Sequence, residues 1–257
     1  MYLVIDKEVI VLGMHRSGSS IISSLCHHLG VNMGENLMNG KPDNPFGHYE
    51  DKEFVGLNEN ILKECGSSWD VPPSRNQLFY LNNKFSNEME VLIGKRTGTW
   101  GWKDPRTCLT INLYFQKLKN PYFIICEREK DDIAKSLKVR NRIPLWAGKK
   151  LAQIYERRII DFLTEYSICK VLKVRYETLK HNPHQIVCEL DKFLGMNNSE
   201  AKIGNVATLV MDKESIENEK KKLIKEKKNS KKSSILKPVR RCLRKLSVST
   251  GWKYRNL

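Results

Sequence analysis

Apolar residues along this chain follow two rhythms. Val9-Ile-Val-Leu12 and Tyr122-Phe-Ile-Ile-Cys126 are short apolar runs that each predict a buried strand, and Val171-Leu-Lys-Val174 predicts a third strand. Thr99-Trp-Gly-Trp102 is a shorter strand candidate. Between these runs the apolar positions recur at helical spacing. Ile21, Ile22, Leu25 and Leu29 form one such set, closed by Gly30 as a C-cap. Phe54, Leu57, Ile61 and Leu62 form a second, broken by Trp69-Asp-Val-Pro-Pro73. Leu78, Leu81, Phe85, Met89 and Leu92 predict one further helix. Ile133, Ala134 and Leu137 mark another, and the series from Leu151 to Leu163 a long amphipathic one. Asn182-Pro183 opens a helix over Ile186, Val187, Leu190, Phe193 and Leu194, with Gly195 at its end. Asp104-Pro105 is also a helix start, Asp as cap and Pro at the first helical position. Residues 31–50, rich in Gly, Asn and Pro, predict a long loop. Strands alternate with helices and no hairpin signal occurs, so the expected fold class is α/β, a parallel sheet flanked by helices.

Composition adds a boundary rather than a class. The chain has 257 residues and a net charge of +16, but residues 213–257 hold 16 Lys/Arg against 4 Asp/Glu. The expected organisation is a body over 1–212 and a basic tail over 213–257. The body is only mildly basic, which argues against nucleic acid as its partner; a nucleic-acid-binding module would have to act through the tail. Seven scattered Cys with no C-x-x-C pair disfavour a disulfide framework and a zinc ribbon, and point to a reducing cytoplasm. No apolar run approaches a membrane span or a secretory signal. In the tail, Pro238 can open a helix that places Val239, Cys242, Leu243 and Leu246 on one face beside Arg240, Arg241, Arg244 and Lys245. That stripe suits the anionic inner face of a membrane or packing onto the body, and periodicity does not choose between them.

The strongest chemical signal is Gly13-x-x-x-x-Gly18-Ser19-Ser20 between a strand and a helix, where backbone N–H groups and the helix N-terminus cradle an anion. A nucleoside-triphosphate loop carries Lys where this chain has Ser19, and here Arg16 brings the positive charge instead. Arg128 ends a strand, and Ser136 follows eight residues on, about a turn and a half into the next helix. A guanidinium fork with a hydroxyl suits a phosphate monoester. A rival reading takes Glu127 as a magnesium ligand on a Walker-B-like strand. Lys103 and Arg106 flank the Asp104-Pro105 helix start. His48, Glu50 and Asp51 sit in one loop, and any of them can act as a general base. His27 and His28 read as packing or solvent residues, and His181 and His184 lack Cys or carboxylate neighbours at a convincing ligand spacing. Trp69, Trp100, Trp102 and Trp146 read as core or cleft walls.

Taken in order, Arg16-Ser-Gly-Ser-Ser20, Asn44-Pro-x-Gly-x-x-Glu50, Ser68-Trp-Asp70, Trp102-Lys-Asp-Pro-Arg106, Arg128 with Ser136, Leu137 and Arg140, and Arg175-Tyr-Glu177 resemble a known family. The family is the bacterial sulfotransferases that use 3′-phosphoadenosine 5′-phosphosulfate (PAPS), with a P-loop-like fold, and the resemblance spans residues 8–195. It implies that Arg16, Ser17, Gly18, Ser19 and Ser20 hold the 5′-phosphosulfate, and that Arg128 and Ser136 bind the 3′-phosphate. It implies that Lys103 stabilises charge at the transferring group and that Glu50 is the catalytic carboxylate, with His48 competing for that role. The implied acceptor is a hydroxyl on a carbohydrate or glycolipid, the by-product is 3′-phosphoadenosine 5′-phosphate (PAP), and no metal is required. Glu129 departs from the family's small or polar residue, and Ser19-Ser20 from its commoner Gly-Thr-Ser/Thr sequence. A sulfuryl group carries less charge than a terminal phosphoryl group, so neither a Walker Lys nor magnesium is demanded, and positioning and electrostatics dominate a loose in-line transfer. The alternative is a P-loop small-molecule kinase, against which Ser19 in place of Lys argues.

Overall fold

The computed structural model describes residues 6–38 and 47–210. The expected helix at Pro238 and the rest of the basic tail lie outside the described residues. Four parallel strands form one sheet: β1 (Glu8–Leu12), β2 (Trp100–Lys103), β3 (Pro121–Glu127) and β4 (Val171–Arg175), in the order β2-β1-β3-β4. Val9 pairs with Gly101 on one side and with Tyr122 on the other, and Phe123 pairs with Val171.

The unbroken apolar runs are explained by burial on both faces. In β1, Ile10 and Leu12 face one core while Val9 and Val11 face the other, and in β3 Phe123 and Ile125 part from Ile124 and Cys126 in the same way. The first core is covered by α2 (Lys52–Glu64), α4 (Ser86–Gly94), α5 (Thr107–Phe115) and α7 (Leu145–Glu165), through Phe54, Leu62, Met89, Leu109, Tyr155 and Phe162. The second is covered by α1 (Ser19–Leu29) and α9 (Pro183–Leu194), with Ile203 and Val206 of a helical stretch at 200–210. Gly101 is required at the β1–β2 pairing, because a Cβ there would lie 2.2 Å from the Val9 carbonyl oxygen.

Two expectations need correction, and one element is new. The single helix expected over Leu78–Leu92 is two, α3 (Arg75–Phe79) and α4, separated by turns. Asn82 and Asn83 fall in those turns, where their side chains compete with helical backbone bonding; Leu78, Phe85, Met89 and Leu92 still reach one core. Asp104-Pro105 does not start the helix itself. Asp104 Oδ1 accepts from the Arg106 N–H at 3.1 Å and shapes a turn, and α5 begins at Thr107. A short α8 (Tyr176–His181), unforeseen from the sequence, follows β4 directly. The remaining helix, α6 (Lys130–Asn141), starts at Lys130, which sets Ser136 inside its second turn. No helix among the described residues is long and apolar enough to cross a membrane.

Candidate active site

Because the strands are parallel, their C-terminal ends share one edge, the usual crevice for ligands in open α/β sheets. Leu12 leads into the Gly13–Gly18 loop, Lys103 ends β2, Glu127 ends β3 with Arg128 just after it, and Arg175 ends β4. The sites predicted far apart in sequence therefore converge.

The loop is built for close approach. Ser17 N–H donates to the Met14 carbonyl at 3.0 Å, and both Arg16 (φ 73) and Gly18 (φ 94) take left-handed backbone. A Cβ at Gly18 would meet Tyr176 Cδ2 at 2.4 Å, so only glycine fits. α1 then begins with no side-chain cap and no acid in its first turn. Its leading N–H groups are open to an anion. The hydroxyl of Ser17 and Nε of Arg128 are buried without a hydrogen-bond partner. Such orphaned donors at a helix start fit an anionic ligand.

Arg16, Ser136 and Arg128 form one cluster rather than two sites. Arg16 Nε donates to Ser136 Oγ at 2.7 Å, and Arg128 Nη1 donates to the Arg16 carbonyl at 2.8 Å. The Arg128 guanidinium lies 4.4 Å from the centre of the Tyr176 ring. The Arg16 side chain is thus turned toward Ser136 and its carbonyl toward Arg128, while Ser17, Gly18, Ser19 and Ser20 form the turn and the helix start. A cleft of about 560 Å³, in the range of small-molecule sites, opens beside this cluster and is lined in part by Ser17, Arg128, Lys149, Tyr155 and Arg175.

The second group is buried. Lys103 Nζ donates to Glu50 Oε1 at 2.6 Å and to Ser20 Oγ at 3.2 Å. Burial works to raise the Glu50 carboxyl, but the Lys103 charge and hydrogen bond outweigh it and hold it below the ordinary carboxylate range. The loop carrying Glu50 is pinned by Met38 N–H donating to the Glu50 carbonyl at 2.8 Å. Asp51, the neighbouring carboxylate, is already engaged: it caps α2 through the Glu53 N–H and pairs with Arg96 at 3.0 Å. Of the two, Glu50 is the one turned to the cation. His48 is buried on the same loop.

A buried network fixes the end of β2. Asn58 Nδ2 donates to Asp104 Oδ2 at 2.8 Å, Tyr114 Oη and Thr110 Oγ1 donate to Asn58 Oδ1, and Trp102 Nε1 donates to Thr107 Oγ1. Arg106 bridges Asp104 and Glu59. Its partners hold Arg106 charged, yet burial wins at Asp104 and pushes its carboxyl up to about 6.

Sequence reasoning missed His15. Its ring tilts against Trp69, with centroids 4.5 Å apart, and its Nε2 is buried without a hydrogen-bond partner. Loss of hydration and the charges of Arg106, Lys103 and Arg140 outweigh Glu50 and lower its pKa to about 3, which keeps it neutral. The available signal was its place inside the Gly13–Gly18 loop, next to Arg16. Trp69, read as a cleft wall, is half-buried and held by Tyr155 Oη donating to its carbonyl at 2.7 Å.

No protein-family model matches the chain, and no curated protein matches it. Among solved structures, it is similar to the sulfotransferase domain of a Synechococcus olefin synthase, at 15% identity over 77% of this chain and 76% of that one, with a TM-score of 0.49. It is similar to the sulfotransferase domain of the curacin biosynthetic pathway at 17% identity over 77% of both chains, TM-score 0.49. A sulfotransferase from Mycobacterium avium matches at 14% identity over 78% of this chain and 67% of its own, TM-score 0.49.

Proposed function

We propose that this chain transfers a sulfuryl group from PAPS to a hydroxyl. The observation that carries the reading is the position of Lys103: its ammonium comes from the end of the neighbouring strand and reaches the Ser20 hydroxyl at the start of α1. A nucleoside-triphosphate loop supplies its cation from the loop itself, at the position held here by Ser19. The Arg16–Ser136–Arg128 cluster adds a second anion site beside the first, which matches a donor with a 5′-phosphosulfate and a separate 3′-phosphate.

In this reading the Gly13–Gly18 loop and the α1 N-terminus hold the 5′-phosphosulfate, and Arg128 with Ser136 holds the 3′-phosphate. The acceptor oxygen forms a bond to sulfur as the bond from sulfur to the 5′-phosphate oxygen breaks. Lys103 stabilises the charge that builds on the leaving phosphate, and Glu50, released from Lys103, takes the acceptor's proton. PAP and a sulfate ester leave. The acceptor class implied by the motif resemblance is a carbohydrate or glycolipid hydroxyl, and the basic tail would bring the enzyme to an anionic membrane surface where a lipid-linked acceptor resides. The test is ligand-induced thermal stabilisation followed by a transfer screen. PAP stabilises the protein and ATP with magnesium does not, and sulfate from PAPS appears on extracted glycans. Stabilisation by ATP with magnesium alone, and phosphate transfer to a sugar, would replace this reading with a kinase.

A further inference from the structure

We propose that His184, Cys188 and Glu200 form a surface site for a borderline-soft divalent cation of the zinc type. His184 and Cys188 stand four residues apart on α9, so one face of the helix presents both. Glu200 comes from a different element, the start of the helical stretch at 200–210. The three side chains meet: His184 Nε2 lies 2.7 Å from Glu200 Oε1, Cys188 Sγ lies 3.6 Å from His184 Nδ1, and one ligand atom from each lies within 4.8 Å of the others. This overturns the reading that His184 lacks Cys or carboxylate neighbours.

The donor set selects the ion. Thiolate, imidazole and carboxylate are the three ligand types of zinc sites, whereas magnesium and calcium take oxygen. With the thiol ionised, the ligands carry two negative charges against the two positive charges of the cation, and the thiol proton leaves to solvent. Three protein ligands leave a fourth tetrahedral position to water. His184 and Glu200 are 52% and 76% exposed at their side chains, so an ion has an open path and the side chains have room to turn toward it. The consequence is structural. The ion would tie the start of the 200–210 helix to α9 at the surface, above the core in which Ile203 and Val206 meet Ile186 and Leu190.

The experiment uses the full chain, stripped with chelator and titrated with Co²⁺ and then Zn²⁺. Co²⁺ gives one equivalent of a thiolate-to-cobalt charge-transfer band in the near ultraviolet with strong visible bands of a four-coordinate ion, and Zn²⁺ displaces it while Mg²⁺ does not. Cys188→Ser removes the charge-transfer band. His184→Ala and Glu200→Gln each weaken Co²⁺ binding by more than the about 10–100-fold that loss of a supporting contact costs. All three positions are at or near the surface, and circular dichroism confirms that each variant is folded. A charge-transfer band that survives Cys188→Ser, or a spectrum that stays that of hexaaquo cobalt with the intact protein, overturns the proposal.

Discussion

Lys103 Nζ and Glu50 Oε1 lie 2.6 Å apart with both side chains almost entirely buried, although 53 residues separate them in the chain. Such a pair is costly to break from one side, since the remaining charge stays buried without its partner. Lys103→Ala is expected to cost about 3–5 kcal/mol in urea unfolding. Glu50→Gln keeps an oxygen for Lys103 but removes the opposite charge, so it too is expected to lose stability, and its activity is compared below its own melting temperature. Its turnover should fall roughly 10²–10⁴-fold while PAP affinity stays nearly intact, as removal of a general base requires. Near-normal turnover in Glu50→Gln with loss in His48→Ala would move the base to His48. The pair also has a pH signature. The folded pKa of Glu50 is depressed, so its stabilisation is present above the ordinary carboxylate range and is lost as pH falls through the folded value.

Arg128 is held by the Tyr176 ring and the carbonyl of Arg16, whose own side chain donates to Ser136. Arg128→Ala should weaken PAP binding by about 1.5–3 kcal/mol, the scale of a hydrogen bond to a charged group. Adenosine 5′-phosphosulfate, which lacks the 3′-phosphate, should lose much less. Calorimetric titration with both ligands checks this, and equal losses would remove the 3′-phosphate from Arg128.

Asp104 shows the opposite sign from Glu50. Its carboxyl is pushed up to about 6, chiefly by burial, from an ordinary value of 3.8. The folded state therefore holds a proton that the unfolded chain has released. Stability from this group falls as pH rises from about 4 to about 6 and is flat above, by at most about 3 kcal/mol. Asp104→Asn lacks this dependence. The stability of the native protein relative to Asp104→Asn should decline between pH 4 and 6 in urea titrations, and a difference that is constant or grows with pH would contradict the assignment.

The strands and the class of fold were legible because β1 and β3 are buried on both faces and must be apolar throughout. The strand-to-helix turn between β1 and α1 was legible because Gly13 and Gly18 bracket it. Other features depend on tertiary placement. Lys103 reaches Ser20 only because β2 lies against β1, and Arg16 reaches Ser136 only because β3 lies on β1's other side. The break between α3 and α4 was hidden because the turns keep Leu78, Phe85 and Met89 on the same core, so helical periodicity continues where the helix does not. The His184–Cys188 spacing was readable as a helix-face pair, but Glu200 comes to it from the next element.

Gly18 and Tyr176 give the last test, because they join the Gly13–Gly18 loop to the start of α8 after β4. A side chain at Gly18 faces two separate penalties. The left-handed backbone at φ 94 costs an ordinary residue about 1–2 kcal/mol. The added Cβ would also meet Tyr176 Cδ2 at 2.4 Å and Cε2 at 3.1 Å. Gly18→Ala should therefore destabilise by more than the backbone term alone and should weaken PAP binding, since the displaced Tyr176 carries the Arg128 guanidinium on its ring. Tyr176→Ala clears the space but leaves the backbone strain. In the double variant the stability cost should be less than the sum of the single costs, by about 0.5–3 kcal/mol, the range for residues in contact. PAP affinity should not recover with it, because the ring under Arg128 is gone. Additive stability losses in this double-mutant cycle would mean that Tyr176 does not close over Gly18, and that glycine is needed there for backbone conformation only.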